Sequence, residues 1–210
     1  MNKTNHSNIL IVGGGCAGIS VATRLHNLKS DLSISIIEPS DQSLYQAAWT
    51  LVGAGAYDKD KTIKPMTEVM PSYVNWIKDH AESFAPESNS VKTSNGEHSY
   101  DYLVVCPGLK INYAGIPGLQ ESIGKNNVCT NYSADMAVYT WECLKNLKGG
   151  TLLFTEPPMP IKCAGAPQKI AYLAADHLKQ KGLLNESNLE FLCAKPVSYT
   201  HLTLPTKQDV

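Results

Sequence analysis

Long apolar runs are missing from this sequence. No stretch approaches the ~18 residues that cross a bilayer as a helix, so no transmembrane helix is expected. Charge is scarce too. Charged residues make up 18% of the chain, and 18 Lys+Arg against 19 Asp+Glu leave a formal net charge of -1. No basic cluster breaks that balance, so no nucleic acid partner is expected. The six cysteines, at positions 16, 106, 129, 143, 163 and 193, include no Cys-x-x-Cys. That spacing excludes the common zinc and iron–sulfur patterns, and no metal is expected. Six are also too few for a secreted disulfide scaffold of this length. The histidines at 6, 26, 80, 98, 177 and 201 form no triad or metal-ligand spacing. The opening MNKTNHSN holds one Lys and no Arg before an apolar run. It lacks the features of a secretory signal or a mitochondrial presequence and reads as a true, cytoplasmic-side start.

What is present is enough apolar matter for a core, 43% of residues, which excludes a disordered tail. Residues 8–12 read as a buried strand and 33–38 as a second, with apolar spacing at Ile19, Ala22, Leu25 and Leu28 predicting a helix between them. A short helix is expected over 46–52, ended by Gly53 and Gly55. Strands are expected over 73–78, 82–85 and 91–93 as an antiparallel excursion, with a turn at Ser94-Asn95-Gly96. A further buried strand at 102–105 stops at Pro107-Gly108. Ser133 reads as the N-cap of a helix to about 147, and Pro167 suits the first turn of a helix reaching 181. Strands at 151–155 and 189–193 flank that last helix. The order β-α-β, antiparallel insertion, β, then α-β-α-β predicts an α/β fold with a parallel sheet.

The turn after the first strand reads Gly13-Gly14-Gly15-Cys16-Ala17-Gly18. A lone Gly-x-Gly-x-x-Gly is weak. Here it follows a strand, opens a helix, and Glu38 stands about 20 residues further on, which makes a dinucleotide fingerprint. Gly13 permits the tight turn, Gly15 lets backbone approach a pyrophosphate, and Gly18 lets helix and strand pack closely. The helix N-terminus offers N–H donors, with Cys16 and Ala17 in its first turn, and a positive dipole end. Glu38 can accept from ribose hydroxyls, and its charge disfavours a 2′-phosphate. In the second unit the corresponding turn is Glu156-Pro157-Pro158-Met159-Pro160. Proline has no N–H to donate, so that turn is a poor nicotinamide-dinucleotide cradle. One good site and one spoiled site describe a flavoprotein whose other substrates are not pyridine nucleotides.

Tyr45-Gln46-Ala47-Ala48-Trp49-Thr50-Leu51-Val52-Gly53-Ala54-Gly55 and Pro160-Ile161-Lys162-Cys163-Ala164-Gly165-Ala166-Pro167-Gln168-Lys169-Ile170 resemble sulfide:quinone oxidoreductases of the mitochondrial and bacterial type. Cys106-Pro107-Gly108-Leu109 resembles that family's segment before its second domain. The resemblance runs from about Ile9 to about Phe191. It implies a Rossmann-like flavoprotein of the disulfide-reductase type with two dinucleotide-binding domains. It implies FAD as cofactor, oxidation of hydrogen sulfide to sulfane sulfur, and delivery of two electrons to a membrane quinone. By the same resemblance Cys163 is a catalytic cysteine whose thiolate carries sulfur and meets the isoalloxazine ring. Tyr45 and Gln46 line the flavin side, with Cys106 and Gly108 near FAD. Cys129 resembles a cysteine near the flavin in the other bacterial variety and is a second catalytic candidate, the alternative being a core thiol. The partner cysteine of this variety would lie beyond the end of the chain.

The residues support Cys163 on their own terms. Thiolate is the reactive form, and both the adjacent Lys162 and a helix start near Ala166-Pro167 favour it. The resemblance further implies a protein seated on a membrane surface, at the cytoplasmic face of a bacterial inner membrane or on the mitochondrial inner membrane. It sets neither the sulfur acceptor nor the oligomer. Other readings are a type II NADH:quinone oxidoreductase, a flavocytochrome sulfide dehydrogenase, or a non-catalytic FAD-binding chain. No Gly-Asp dipeptide of the kind that contacts ribityl and pyrophosphate occurs, so an N-terminal fragment is expected, its C-terminal part missing. Residues 1–112 are expected to form the first part of an FAD-binding domain and 113–194 the start of a second, degenerate one. Residues 195–210, rich in Thr with two prolines, depart from the βα pattern and read as a frame change or junction.

Overall fold

The computed structural model describes residues 5–157, 159–163 and 165–193. The expectations for the extreme N-terminus and for 195–210 lie outside those residues, as do Pro158 and Ala164. In chain order the elements are β1 (His6–Val12), α1 (Cys16–Leu28), β2 (Ile34–Ile37), β3 (Gln42–Leu44), α2 (Trp49–Gly53), β4 (Ile63–Pro65), α3 (Met66–Val69), β5 (Val74–Ile77), β6 (Ala81–Ala85), β7 (Ser90–Thr93), β8 (Gly96–Val105), α4 (Leu119–Ser122), α5 (Ala134–Lys145), β9 (Gly150–Glu156), α6 (Ala166–Gln180) and β10 (Ser187–Cys193). They gather into two compact units. One comprises the described residues up to Tyr45 together with Ile63–Lys110. The other comprises Gln46–Thr62 with the described residues from Ile111 onward.

The first unit is built on a six-stranded sheet of order β5-β2-β1-β8-β7-β6. β1 pairs in parallel with β2 and β8, while β7 runs antiparallel to both β6 and β8. Alternate side chains of β1 leave on opposite faces. Ile9 and Ile11 pack with Ala22, Ile34 and Ile36 under α1, while Leu10 and Val12 pack with Ile37, Val91 and Tyr100 on the other face. Burial on both faces is why the strand reads as one continuous apolar run. The strand expected over 73–78 is not part of the antiparallel arm. It is β5, parallel to β2 at the sheet edge. The chain between β2 and β5 is long enough for the crossover that parallel pairing needs. β3 and β4, a short antiparallel pair, carried no period-2 signal and were not anticipated.

Where the antiparallel arm meets the sheet, Asp79 is buried at 7% exposure. Its carboxylate accepts from Ser94 Oγ (2.8 and 2.9 Å), the His80 N–H (2.7 Å) and the Asn95 N–H (2.9 Å). Burial pushes this carboxyl up, but the donors from Ser94, His80, Asn95 and Thr93 outweigh it and hold the group well below the usual carboxylate range.

The second unit holds a parallel β9-α6-β10 arrangement. Leu144, Leu152, Ile170, Ala174 and Leu178 form its main core. Pro167 stands in the first turn of α6 and Ser133 at the N-cap position of α5, as the sequence predicts, although the Ser133 side chain makes no capping bond. The expectation that 46–62 belongs with the first unit fails on packing. Trp49 and Val52 of α2 are buried with Ala137 of α5.

Candidate functional site

In the first unit the site is mostly backbone. Gly13 has φ +106, and a Cβ there would lie 2.2 Å from the Cys106 carbonyl oxygen. A side chain is excluded both by the left-handed conformation and by the strand end packed beside it. A Cβ on Gly18 would lie 1.9 Å from the Gly13 carbonyl oxygen, so α1 can leave the turn only at a glycine. Gly15 is different. Nothing stands within 4 Å of where its Cβ would be, and Gly15, Cys16 and Ala17 are exposed while Gly18 is buried. Gly15 is also the N-cap of the 13-residue α1 and supplies no side-chain cap. The first-turn N–H groups of Cys16 and Ala17 therefore face open space at the positive end of the helix dipole. That arrangement fits a diphosphate.

Glu38 follows β2 directly. Its N–H donates to the Ile77 carbonyl at 3.0 Å, and its own carbonyl accepts from Trp76 Nε1 at 2.7 Å. Its carboxylate accepts from the Gly14 N–H and the Ser40 N–H, both at 2.8 Å. The carboxylate is thereby fixed at the lip of the glycine turn, with lone pairs left for a hydroxyl donor. The indole of Trp76, on the neighbouring strand β5, has no local motif and was missed in the sequence. Cys106 closes the turn from beneath. Its N–H donates to the Val12 carbonyl at 2.8 Å and its Sγ lies 3.7 Å from the Gly13 carbonyl oxygen. Burial pushes its thiol up, which suits packing. Gly108 turns at φ +80 with open space at its Cβ position. Tyr45, 57% exposed, ends the first unit, and the exposed Gln46 begins the second.

In the second unit the site is made of side chains. Cys163 is a free, exposed thiol. Its carbonyl accepts from the Ala166 N–H at 3.2 Å, which places the cysteine at the entrance of the 15-residue α6, whose N-cap Gly165 offers no capping side chain. Lys162 holds its Nζ 5.9 Å from the centroid of the Trp49 ring, within cation–π range. Burial lowers the Lys162 pKa, with the Cys163 charge acting the other way. The indole Nε1 of Trp49 donates to Thr62 Oγ1 at 3.3 Å. Tyr132 has its phenol pKa raised by burial and then by the charges of Cys163, Glu156 and Tyr113, so these four groups form one electrostatic neighbourhood. Glu156 is only 3% exposed. Among the described residues the buried hydroxyls of Thr50, Tyr113 and Tyr132 make no hydrogen bond within the protein. Sequence reasoning missed Tyr113, Tyr132 and Glu156, because single tyrosines and one acid on separate elements form no spacing.

Cys129, the second catalytic candidate, is half-buried. Its Sγ donates to the Asn127 carbonyl at 3.4 Å. Burial, then the charge and thiol of Cys143, push it up to about 12. It is held as a thiol, whereas Cys163 stands exposed at a helix entrance.

Comparison with known proteins agrees with this geometry. Residues 7–139 match the pyridine nucleotide-disulphide oxidoreductase family, which spans the glycine turn, Glu38 and both arms of the first sheet. The chain is 43% identical over 190 residues to the mitochondrial sulfide:quinone oxidoreductase of Dictyostelium discoideum, covering 89% of this chain and 42% of that protein. It is 39% identical over 188 residues to the mouse mitochondrial enzyme of the same name, with 89% and 42% covered. The crystal structure of sulfide:quinone oxidoreductase from Aquifex aeolicus superposes with a TM-score of 0.73 at 26% identity, covering 91% of this chain and 43% of that one. The chain thus spans about 42% of the length of the curated relatives it matches. The family and these relatives are FAD-binding flavoproteins. The family match covers more than half of the chain, including the glycine turn and the acid at its lip, and this chain belongs to the pyridine nucleotide-disulphide oxidoreductases.

Proposed function

We propose that the complete protein is an FAD-dependent sulfide:quinone oxidoreductase, and that this chain supplies its dinucleotide cradle and its sulfur-carrying cysteine. One observation carries the reading: an exposed thiol, Cys163, stands between Lys162 and the uncapped N-terminus of α6, in a chain whose relatives carry that name. Bound FAD supplies a two-electron acceptor. The N–H groups of Cys16 and Ala17 hold the diphosphate, and Glu38 receives a ribose hydroxyl. Tyr45 and Gln46 take the flavin side, with Cys106 and Gly108 near FAD.

Cys163 forms a disulfide with a partner cysteine in the remaining length of the protein. Hydrosulfide attacks one sulfur of that bridge. The attacked sulfur keeps the new S–S bond as a persulfide, and the other leaves as a thiolate carrying the electron pair. Once the persulfide's outer sulfur has passed to an acceptor thiolate, both cysteines stand as thiolates; bound FAD would supply the two-electron acceptor that lets them close again to the disulfide, with a membrane quinone as final oxidant. Lys162 and the α6 dipole favour the thiolate form of Cys163. Of the two catalytic candidates Cys163 takes this role, since the raised pKa of Cys129 suits a nucleophile poorly. Among the described residues no helix is long and apolar enough to cross a membrane. Access to quinone then calls for a protein lying on the membrane surface.

The test uses the complete, FAD-loaded protein under nitrogen. Sulfide is expected to bleach the flavin absorbance and NADH to leave it unchanged. Bleaching by NADH and not by sulfide overturns the reading in favour of a type II NADH:quinone oxidoreductase.

A further inference from the structure

The structure gives Cys129 a neighbour other than Cys163. Residues 126 and 127 carry consecutive positive φ values, 49 and 63, on two asparagines. Asparagine tolerates this conformation better than most residues, and two in a row bend the chain sharply. The Asn127 N–H donates to the Tyr139 phenol oxygen at 3.2 Å, which ties the bend to α5. Cys129, two residues on, meets the same helix. Its Sγ donates back to the Asn127 carbonyl at 3.4 Å, which keeps the thiol at the tied bend, and the charge and thiol of Cys143 act on it there. Tyr139 and Cys143 lie one turn apart on that face, and Cys143 interacts with both Tyr139 and Cys129. Both thiols are free and both are partly buried. All these groups lie within the second unit.

We propose that Cys129 and Cys143 form a redox-active dithiol that closes to a disulfide by exchange with a low-molecular-weight disulfide. The thiolate of Cys143 attacks one sulfur of the small disulfide. That S–S bond breaks, one small thiol leaves, and a mixed disulfide stands on Cys143. Cys129 then loses its proton to solvent and displaces the second small thiol, forming the Cys129–Cys143 bond. The protein gives up two electrons and two protons, and the small disulfide is reduced to two thiols. Burial and its neighbour keep the proton on Cys129, so Cys143 opens the exchange and Cys129 resolves it. The bridge fixes the bend to α5 three residues before Tyr132, the tyrosine in the field of Cys163. This inference does not depend on the sulfide reading.

The chain, with all thiols reduced, is incubated with oxidised glutathione, blocked with iodoacetamide in denaturant, and mapped by digestion without reductant. The expected result is one crosslinked species joining the Cys129 and Cys143 peptides. In Cys129→Ser the glutathione adduct on Cys143 is expected to rise more than tenfold over the unsubstituted chain, because the resolving thiol is gone. In Cys143→Ser, Cys129 is expected to stay alkylatable. Recovery of both peptides alkylated from the unsubstituted chain overturns the proposal. So does a bridge from Cys129 to Cys163 or to any other cysteine.

Discussion

The two units build function from different material. The first unit makes its site from main-chain groups: a glycine turn, a helix start and an acid pinned by two N–H donors, all resting on strands buried on both faces. The second makes its site from side chains on separate elements, around an exposed thiol beside a two-stranded sheet. A main-chain site tolerates no added atoms where the turn is packed. A side-chain site tolerates changes of shape and fails on changes of chemistry.

The largest expected effect lies in the second unit. Cys163→Ser replaces one atom and is expected to abolish sulfide-driven bleaching of the flavin in the complete protein, with the flavin absorbance itself retained. Loss of bound flavin in this variant would show that the thiol is structural and break the contrast. In the first unit Gly18→Val drives a side chain into the Gly13 carbonyl oxygen, and backbone cannot move aside cheaply. A loss of about 3 kcal/mol or more is expected by denaturant titration. Gly15→Ala sharpens the same point. Its Cβ meets nothing, so the melting temperature should hold while FAD retention through gel filtration drops.

A smaller effect is expected at Asp79. Its folded-state pKa is depressed below an unfolded value of about 3.9. The stability it contributes is complete above that unfolded value and is lost as pH falls toward the folded one. Asp79→Asn should therefore lower the melting temperature at pH 7, and the gap to the unsubstituted chain should narrow at pH 3. A gap that stays constant with pH would show that the carboxylate charge is not what these donors read. The smallest effect is at Tyr132. Its hydroxyl is buried without a hydrogen-bond partner among the described residues, so Tyr132→Phe should leave thermal stability unchanged or raise it by up to about 1 kcal/mol.

The same contrast accounts for what the sequence disclosed. The glycine turn and Glu38 were legible because a required backbone conformation restricts residue type at fixed offsets. The helix around Pro167 and the strand over 102–105 were legible by period and punctuation. β5 was misplaced because strand residues carry their pairing only through partners far along the chain. Cys163 came from the resemblance of residues 160–170 to the sulfide:quinone oxidoreductases, with Lys162 and the helix that follows as local support. Tyr113, Tyr132 and Glu156 could not be found that way, since their proximity exists only after folding. Cys129 was singled out as a second catalytic candidate, whereas its pairing with Cys143 on α5 exists only after folding.

The placement of α2 also bears on synthesis. Gln46–Thr62 belong to the second unit, yet they leave the ribosome before Ile63–Lys110, which complete the first. Trp49 and Val52 are buried against α5, around Ala137. At ~5–20 residues per second, they wait on the order of ten seconds for α5, the last few of them as an apolar loop beside a finished sheet. Chaperone demand during translation should therefore concentrate on this one short segment, and a chain arrested before α5 emerges would be sticky there and sound elsewhere.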